Sequence, residues 1–264
     1  MTDIHSALTS HLKELHLPAF RQCYRDEAEL ARRESLSHEQ YLLELVRREC
    51  EERAEKRTAR YLRESKLPLE KSLEVFDRSR LPLKINTLVN HLLEGTFLDH
   101  QENVLAFGNP GSGKTHLLCA IGQELIHKGY RILFVSCNLL IQELLIAKRD
   151  LRLARVLKKF SKYKALVIDD IGYVQQNREE MEVLFTLLAD RYERGSVMLT
   201  SNLPFSQWER IFKDPMTTAA AIDRLVHHSI ILELNLTSYR LEQSQKGRKF
   251  NEKNRKIDKR KREL

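Results

Sequence analysis

The spacing of apolar positions changes near residue 81, and the predicted structure changes with it. Upstream, Ile4, Ala7, Leu8, Leu12 and Leu15 recur at helical intervals and stop short of Pro18. Ser37 and Gln40 fit a capping box, in which a hydroxyl satisfies the amide three residues on and that side chain reaches back. The helix so opened carries Tyr41, Leu42, Leu45 and Val46, turns very polar through residues 50–60, and ends near Pro68. Apolar positions in residues 1–66 are few, which predicts a small all-helical module with a thin core that packs on something else, the next domain or another chain. Pro68 and Pro82 bracket an expected linker, residues 67–80.

From residue 81 to about 245, short β-rich runs alternate with helical stretches. The runs are 103–107, 131–136, 165–169, 196–200 and 229–234. The helices are 114–128, 139–160 (one helix or two) and 178–194. Continuous apolar strands separated by helices predict an α/β domain with a parallel sheet covered on both faces. Ligands in such sheets sit at the carboxyl ends of the strands.

The strongest chemical signal lies at such an end. Gly108-Asn109-Pro110-Gly111-Ser112-Gly113-Lys114-Thr115 fits G-x-x-x-x-G-K-[ST] between a predicted strand and a predicted helix. Glycines let backbone amides converge on phosphate oxygens, and the helix N-terminus adds free N–H groups and a favourable dipole. Lys114 would then meet the β- and γ-phosphates, and Thr115 would bind Mg²⁺. The bland alternative is a glycine-rich turn before a helix. Next, the apolar run 165–168 ends in Asp169 and Asp170. Two carboxylates closing a buried strand are costly unless they face a polar site. Asp169 is placed to hold the Mg²⁺ hydration shell. Asp170, pointing the other way on a strand, could orient or deprotonate an attacking water. Asn202, after a third run, could sense the γ-phosphate or simply turn the chain before Pro204. Arg224 and Arg240 flank the last run and could each neutralise phosphate charge or form a structural ion pair.

Charge narrows the picture further. The 264 residues carry a net +8, from 45 Lys+Arg against 37 Asp+Glu. Residues 246–264 hold ten basic and three acidic residues, whereas residues 1–80 hold sixteen of each. The excess is therefore concentrated in a tail whose composition reads as disordered. The nearly neutral body conceals a second basic run: residues 148–164 contain eight basic residues and one acid. Lys148, Arg149, Arg152, Arg155, Lys158 and Lys159 are the candidate DNA contacts, with Arg152, Arg155 and Lys159 sharing a helical face. Contacts to phosphate position a protein without reading sequence, so double-stranded DNA would be bound with little sequence preference. A solvated face pairing with acids of the N-terminal module is the alternative. No apolar stretch reaches membrane-spanning length, no secretory pattern opens the chain, and four scattered cysteines suit a reduced, cytoplasmic setting.

The ordered set GNPGSGKTH (108–116), LVIDDIG (166–172), LTSNLPFSQW (199–208), AIDRLVHH (221–228) and TSYRL (237–241), with KLPLEKSLEVFD (66–77) leading in, resembles the AAA+ ATPases. Within them it is most similar to the IstB-like transposition helper proteins, relatives of the DnaC-type helicase loaders. The resemblance implies an AAA+ P-loop fold, ATP and Mg²⁺ as cofactors, and slow hydrolysis stimulated by DNA or a partner. Residues 108–116, His116 included, would bind nucleotide. Asp169 would be the Mg²⁺-associated acid, Asp170 the catalytic acid, Asn202 the first sensor and Arg240 the second. Arg224 would be an arginine finger acting on a neighbour's nucleotide. The family commonly has Glu where Asp170 stands, and the shorter acid does not promise fast turnover. The implied activity is an ATP-dependent, DNA-bound oligomer that assists a transposase in a bacterial cytoplasm. A replicative helicase loader shares the same ATPase chemistry, and a P-loop small-molecule kinase is the alternative of another class.

Overall fold

A computed structural model describes residues 3–172, 177–208 and 215–239. The chain divides into two compact units, residues 1–61 and 62–264. The first unit is helical: α1 (Ile4–Glu14), α2 (Pro18–Glu34) and most of α3 (His38–Ser65), whose last turn belongs to the second unit. The Asp3 carboxylate accepts from the His5 amide at 3.2 Å and so caps α1. The capping box is present, with the Ser37 amide 2.8 Å from Gln40 Oε1 and the Gln40 amide 3.3 Å from Ser37 Oγ. Pro18 opens α2, and Leu17 before it offers no capping side chain. Glu49 of α3 substitutes, accepting from the Ala19 and Phe20 amides at 2.9 and 3.4 Å. The core is small, as the sequence predicts: Leu12, Tyr24 and Leu45 are buried, with Leu17, Phe20, Cys23 and Tyr41 against them.

The second unit is built on five parallel strands in the order β2-β3-β4-β1-β5. They are β1 (Asn103–Phe107), β2 (Ile132–Ser136), β3 (Ala165–Ile171), β4 (Ser196–Ser201) and β5 (Ser229–Glu233). Helices cover both faces, which is why β1 and β4 are buried along their whole length. Around the sheet stand α4 (Leu83–Glu94), the single turn α5 (Thr96–Asp99), α6 (Lys114–His127), α7 (Cys137–Arg149), α8 (Leu153–Phe160), α9 (Arg178–Arg191) and α10 (Pro215–Val226). Leu105, Leu166, Ile168, Val197 and Leu199 share one core cluster with residues of α7 and α9. Their alternating neighbours Val104, Ala106, Val167 and Met198 are equally buried, on the side where α6 packs. Asn103 pins the amino ends of the strands, accepting from the Val197 amide at 2.9 Å and donating to the Leu225 carbonyl at 3.1 Å.

Two expectations need correction, and one open alternative is decided. The stretch 67–80 is not a free linker: Leu67 is buried against Gly122, and Gln123 Nε2 of α6 donates to the Pro68 and Lys71 carbonyls, both at 3.1 Å. It is part of the second unit, which begins at Leu62. Of the two alternatives for 139–160, the chain forms two helices, α7 and α8, broken where Leu151 adopts φ 55°. The third strand runs on to Ile171, with a bulge after Ile168.

Candidate functional site

The carboxyl ends of β1, β3 and β4 border one cavity of about 320 Å³. The loop after β1 forms its floor. At Gly108 (φ 150°) a Cβ would collide with the Leu234 carbonyl, which is backbone and has no room to give. Gly113, at φ 96°, caps α6 in the left-handed region, where a side chain would be strained. Both glycines are therefore required by the loop geometry.

Lys114 is buried, and its ammonium donates to the Gly108 and Asn109 carbonyls at 2.7 and 2.9 Å and to Asn202 Oδ1 at 2.6 Å. Thr115 Oγ1 donates to Asp169 Oδ1 at 2.7 Å. The loop after β1 is thus wired to the ends of both β3 and β4. Asp170 also lines the cavity, which strand alternation does not predict. Ile168 pairs with Leu199 and Ile171 with Ser201, so Asp169 and Asp170 together face the single residue Thr200. This is a bulge, which re-aims side chains locally. Asp170 takes φ 59° there.

The other wall comes from residues ahead of α4. Val75, Phe76, Asp77 and Arg80 line the cavity. His116 bonds the Ser72 carbonyl at 2.9 Å and meets the Phe76 ring edge-on at 5.2 Å. Arg80 donates to the Thr237 carbonyl at 2.9 Å and lies 5.2 Å from the Tyr239 ring centre, while the Tyr239 amide donates to the Gly111 carbonyl at 3.0 Å. The segment after β5 thereby straps the phosphate loop.

A model of the IstB-like ATP-binding protein family matches residues 10–247. The chain belongs to that family. Among relatives of this IstB-like chain, an insertion sequence ATP-binding protein of Sinorhizobium fredii is 42% identical over 230 residues, 87% of this chain and 77% of that protein. The insertion sequence IS21 ATP-binding protein of Pseudomonas aeruginosa is 37% identical over 242 residues, 91% of this chain and 89% of that protein. Among solved structures, DnaI matches with a TM-score of 0.54 at 23% identity, over 65% of this chain and 95% of that one. The DnaC helicase loader matches with 0.52 at 19%, over 62% and 96%. At those identities the likeness is one of fold: a parallel sheet flanked by helices.

The remaining expected residues of the IstB-like chain lie elsewhere. Arg224, on α10, is outside the cavity. Its guanidinium lies 4.6 Å from the Phe185 ring centre of α9, with Nη1 buried and without a hydrogen-bond partner among the described residues. It stands near Asn103 and His228, at the amino ends of the strands. Arg240 and the tail 246–264 fall outside the described residues.

The basic run is divided between two helices, with Arg152, Arg155, Lys158, Lys159 and Lys162 brought to one groove. Lys148 and Arg149 end α7, and Arg152 precedes α8. Four of the six candidates are in ion pairs: Lys148 with Glu182 at 2.9 Å, Arg149 and Arg152 with Asp150 at 3.3 and 2.5 Å, and Lys159 with Glu143 at 2.8 Å. Arg155 and Lys158 have no acidic partner among the described residues. With Lys162 they border a groove of about 590 Å³ whose floor includes Ile146 and Val156.

Sequence reasoning missed Phe76, Arg80, Thr200 and Tyr239. The lead-in segment 66–77 carried a signal for the first. Thr200 and Tyr239 lie inside the quoted motifs 199–208 and 237–241, but the contacts that give Thr200 its place arise only opposite a bulge.

Proposed function

We propose that this chain is an ATPase that helps a transposase move an insertion sequence, assembling on DNA in its ATP-bound state. The observation that carries the reading is the single cavity in which Lys114, Thr115, Asp170 and Asn202 meet below the phosphate loop. Lys114 holds three oxygens with its three donors, so phosphate oxygens can replace the carbonyls without leaving the ammonium unpaired. The Thr115 hydroxyl and Asp169 carboxylate are hard oxygen donors 2.7 Å apart, a set that fits Mg²⁺. Bound there, Mg²⁺ would neutralise charge on the β- and γ-phosphates. Asp170 is the candidate to orient water, and Asn202 links Lys114 to the end of β4.

The two named relatives are insertion sequence proteins at 42% and 37% identity, which favours the transposition role over helicase loading. Double-stranded DNA is assigned to the α7–α8 surface, led by Arg155 and Lys158. A finger role for Arg224 in a neighbouring subunit requires its guanidinium to leave Phe185.

The test is to size the protein with DNA, with and without a nonhydrolysable ATP analogue. A nucleotide-dependent oligomer on DNA is expected. A species of unchanged size in both conditions would sink the assembly reading.

A further inference from the structure

Thr200 lies two residues before Asn202, within the 199–208 motif, and has no role assigned to it so far. It is fully buried on the central strand β4, opposite the bulge in β3. Its hydroxyl is used twice. Thr200 Oγ1 donates to Asp169 Oδ1 at 2.7 Å and accepts from the Asp170 amide at 2.8 Å.

Each bond answers a need that the bulge creates. A bulge leaves its extra residue without a ladder partner, and a buried amide left unpaired is costly. The Thr200 hydroxyl supplies that partner. Asp170 is also held at φ 59°, a conformation that non-glycine residues seldom adopt and that persists only where surroundings fix it. The second bond fixes the other acid. Thr115 of α6 and Thr200 of β4 both donate to Oδ1 of Asp169, each at 2.7 Å, and so restrict its rotation. One hydroxyl therefore orients the carboxylate beside Thr115 and the backbone of the carboxylate in the cavity.

We infer that Thr200 is a positioning residue that holds Asp169 for the metal and Asp170 for the reacting water. The inference rests on the ATPase reading above. It needs one donor and one acceptor on a single atom, so serine can serve and valine, of the same shape as threonine, cannot.

The full-length protein, its Thr200→Val and its Thr200→Ser variants are compared by three measurements. These are binding of a fluorescent ADP analogue without metal, the gain in that affinity on titrating Mg²⁺, and steady-state ATP hydrolysis. Thr200→Val should bind nucleotide without metal within about twofold of wild type, lose most of the Mg²⁺-dependent gain, and lower kcat about tenfold or more, the scale of one hydrogen bond to a charged group. Thr200→Ser should restore both the Mg²⁺ response and kcat to within about threefold. Thr200→Ala carries the same test if the valine variant does not fold. A hydroxyl-free variant with wild-type Mg²⁺ response and kcat overturns the inference, as does a serine variant as impaired as valine. If the wild-type protein itself neither gains affinity from Mg²⁺ nor hydrolyses ATP, the ATPase reading fails first and the inference with it.

Discussion

Asp170 is where the pattern of residues and the geometry part company. The motif, read as residue types in order, locates Lys114 and Thr115 because backbone amides, a lysine and a hydroxyl must occur at fixed offsets to hold a phosphate. The side-chain direction of Asp170 is not so encoded. Period-two alternation sends Asp169 and Asp170 to opposite faces, and only the register slip against β4 brings Asp170 to the cavity. The same local view separates the four cysteines. Cys119 lies fully buried on α6, and burial pushes its thiol up to about 12. Near pH 8 only about one such thiol in ten thousand is ionised. Cys50 is exposed on α3. Iodoacetamide applied to the native protein should therefore modify Cys50 and spare Cys119, with all four modified in denaturant. Mass mapping that finds Cys119 alkylated as fast as Cys50 would contradict the burial.

At the scale of elements, helices with strong end signals were legible and helices capped from a distance were not. Ser37 and Gln40 announce α3 because their partners are local in sequence. The start of α2 depends on Glu49, thirty residues on, and only tertiary structure reveals it. Burial raises the pKa of Glu49, but Arg53 and the Ala19 and Phe20 amides outweigh it and hold the carboxyl below its ordinary value. A carboxyl with a lowered folded pKa contributes stability above its unfolded pKa and loses that contribution as the pH falls. Glu49→Gln should thus cost the first unit about 1–3 kcal/mol near neutral pH. The deficit should shrink as the pH drops below 4.5, the unfolded value. Thermal unfolding followed by circular dichroism across that range checks it, and a pH-independent deficit would remove the charge from the explanation. The break between α7 and α8 was open in sequence for a different reason: apolar spacing continues across it, and only the exposed, left-handed Leu151 marks the turn.

For the whole molecule, net charge was a poor guide and charge placement a better one. The +8 total says nothing of the α7–α8 surface, where half-exposed ion pairs tie down much of the positive charge. Such pairs contribute little and exchange readily for other anions. Arg155 and Lys158, lacking acidic partners, are the first to offer to phosphate. A variant with Arg155→Glu and Lys158→Glu should weaken binding to DNA of any sequence alike and lower the salt slope by about two. Nucleotide affinity should be unchanged. Filter binding at several salt concentrations measures the slope, and a slope equal to wild type would move the DNA surface elsewhere. No helix among the described residues is long and apolar enough to cross a membrane.

The strap over the phosphate loop sets an order on the birth of the site. Arg80 and Thr237, which meet beside the cavity, are 157 residues apart, and β5 pairs with β1 only after every other strand has been made. A nascent chain that has already delivered its glycine loop, Lys114 and both acids to the ribosome exit still lacks the carbonyl of Leu234 against Gly108 and the amide of Tyr239 against Gly111. The strap across the phosphate loop can therefore close only after β5 and the segment that follows it have been made.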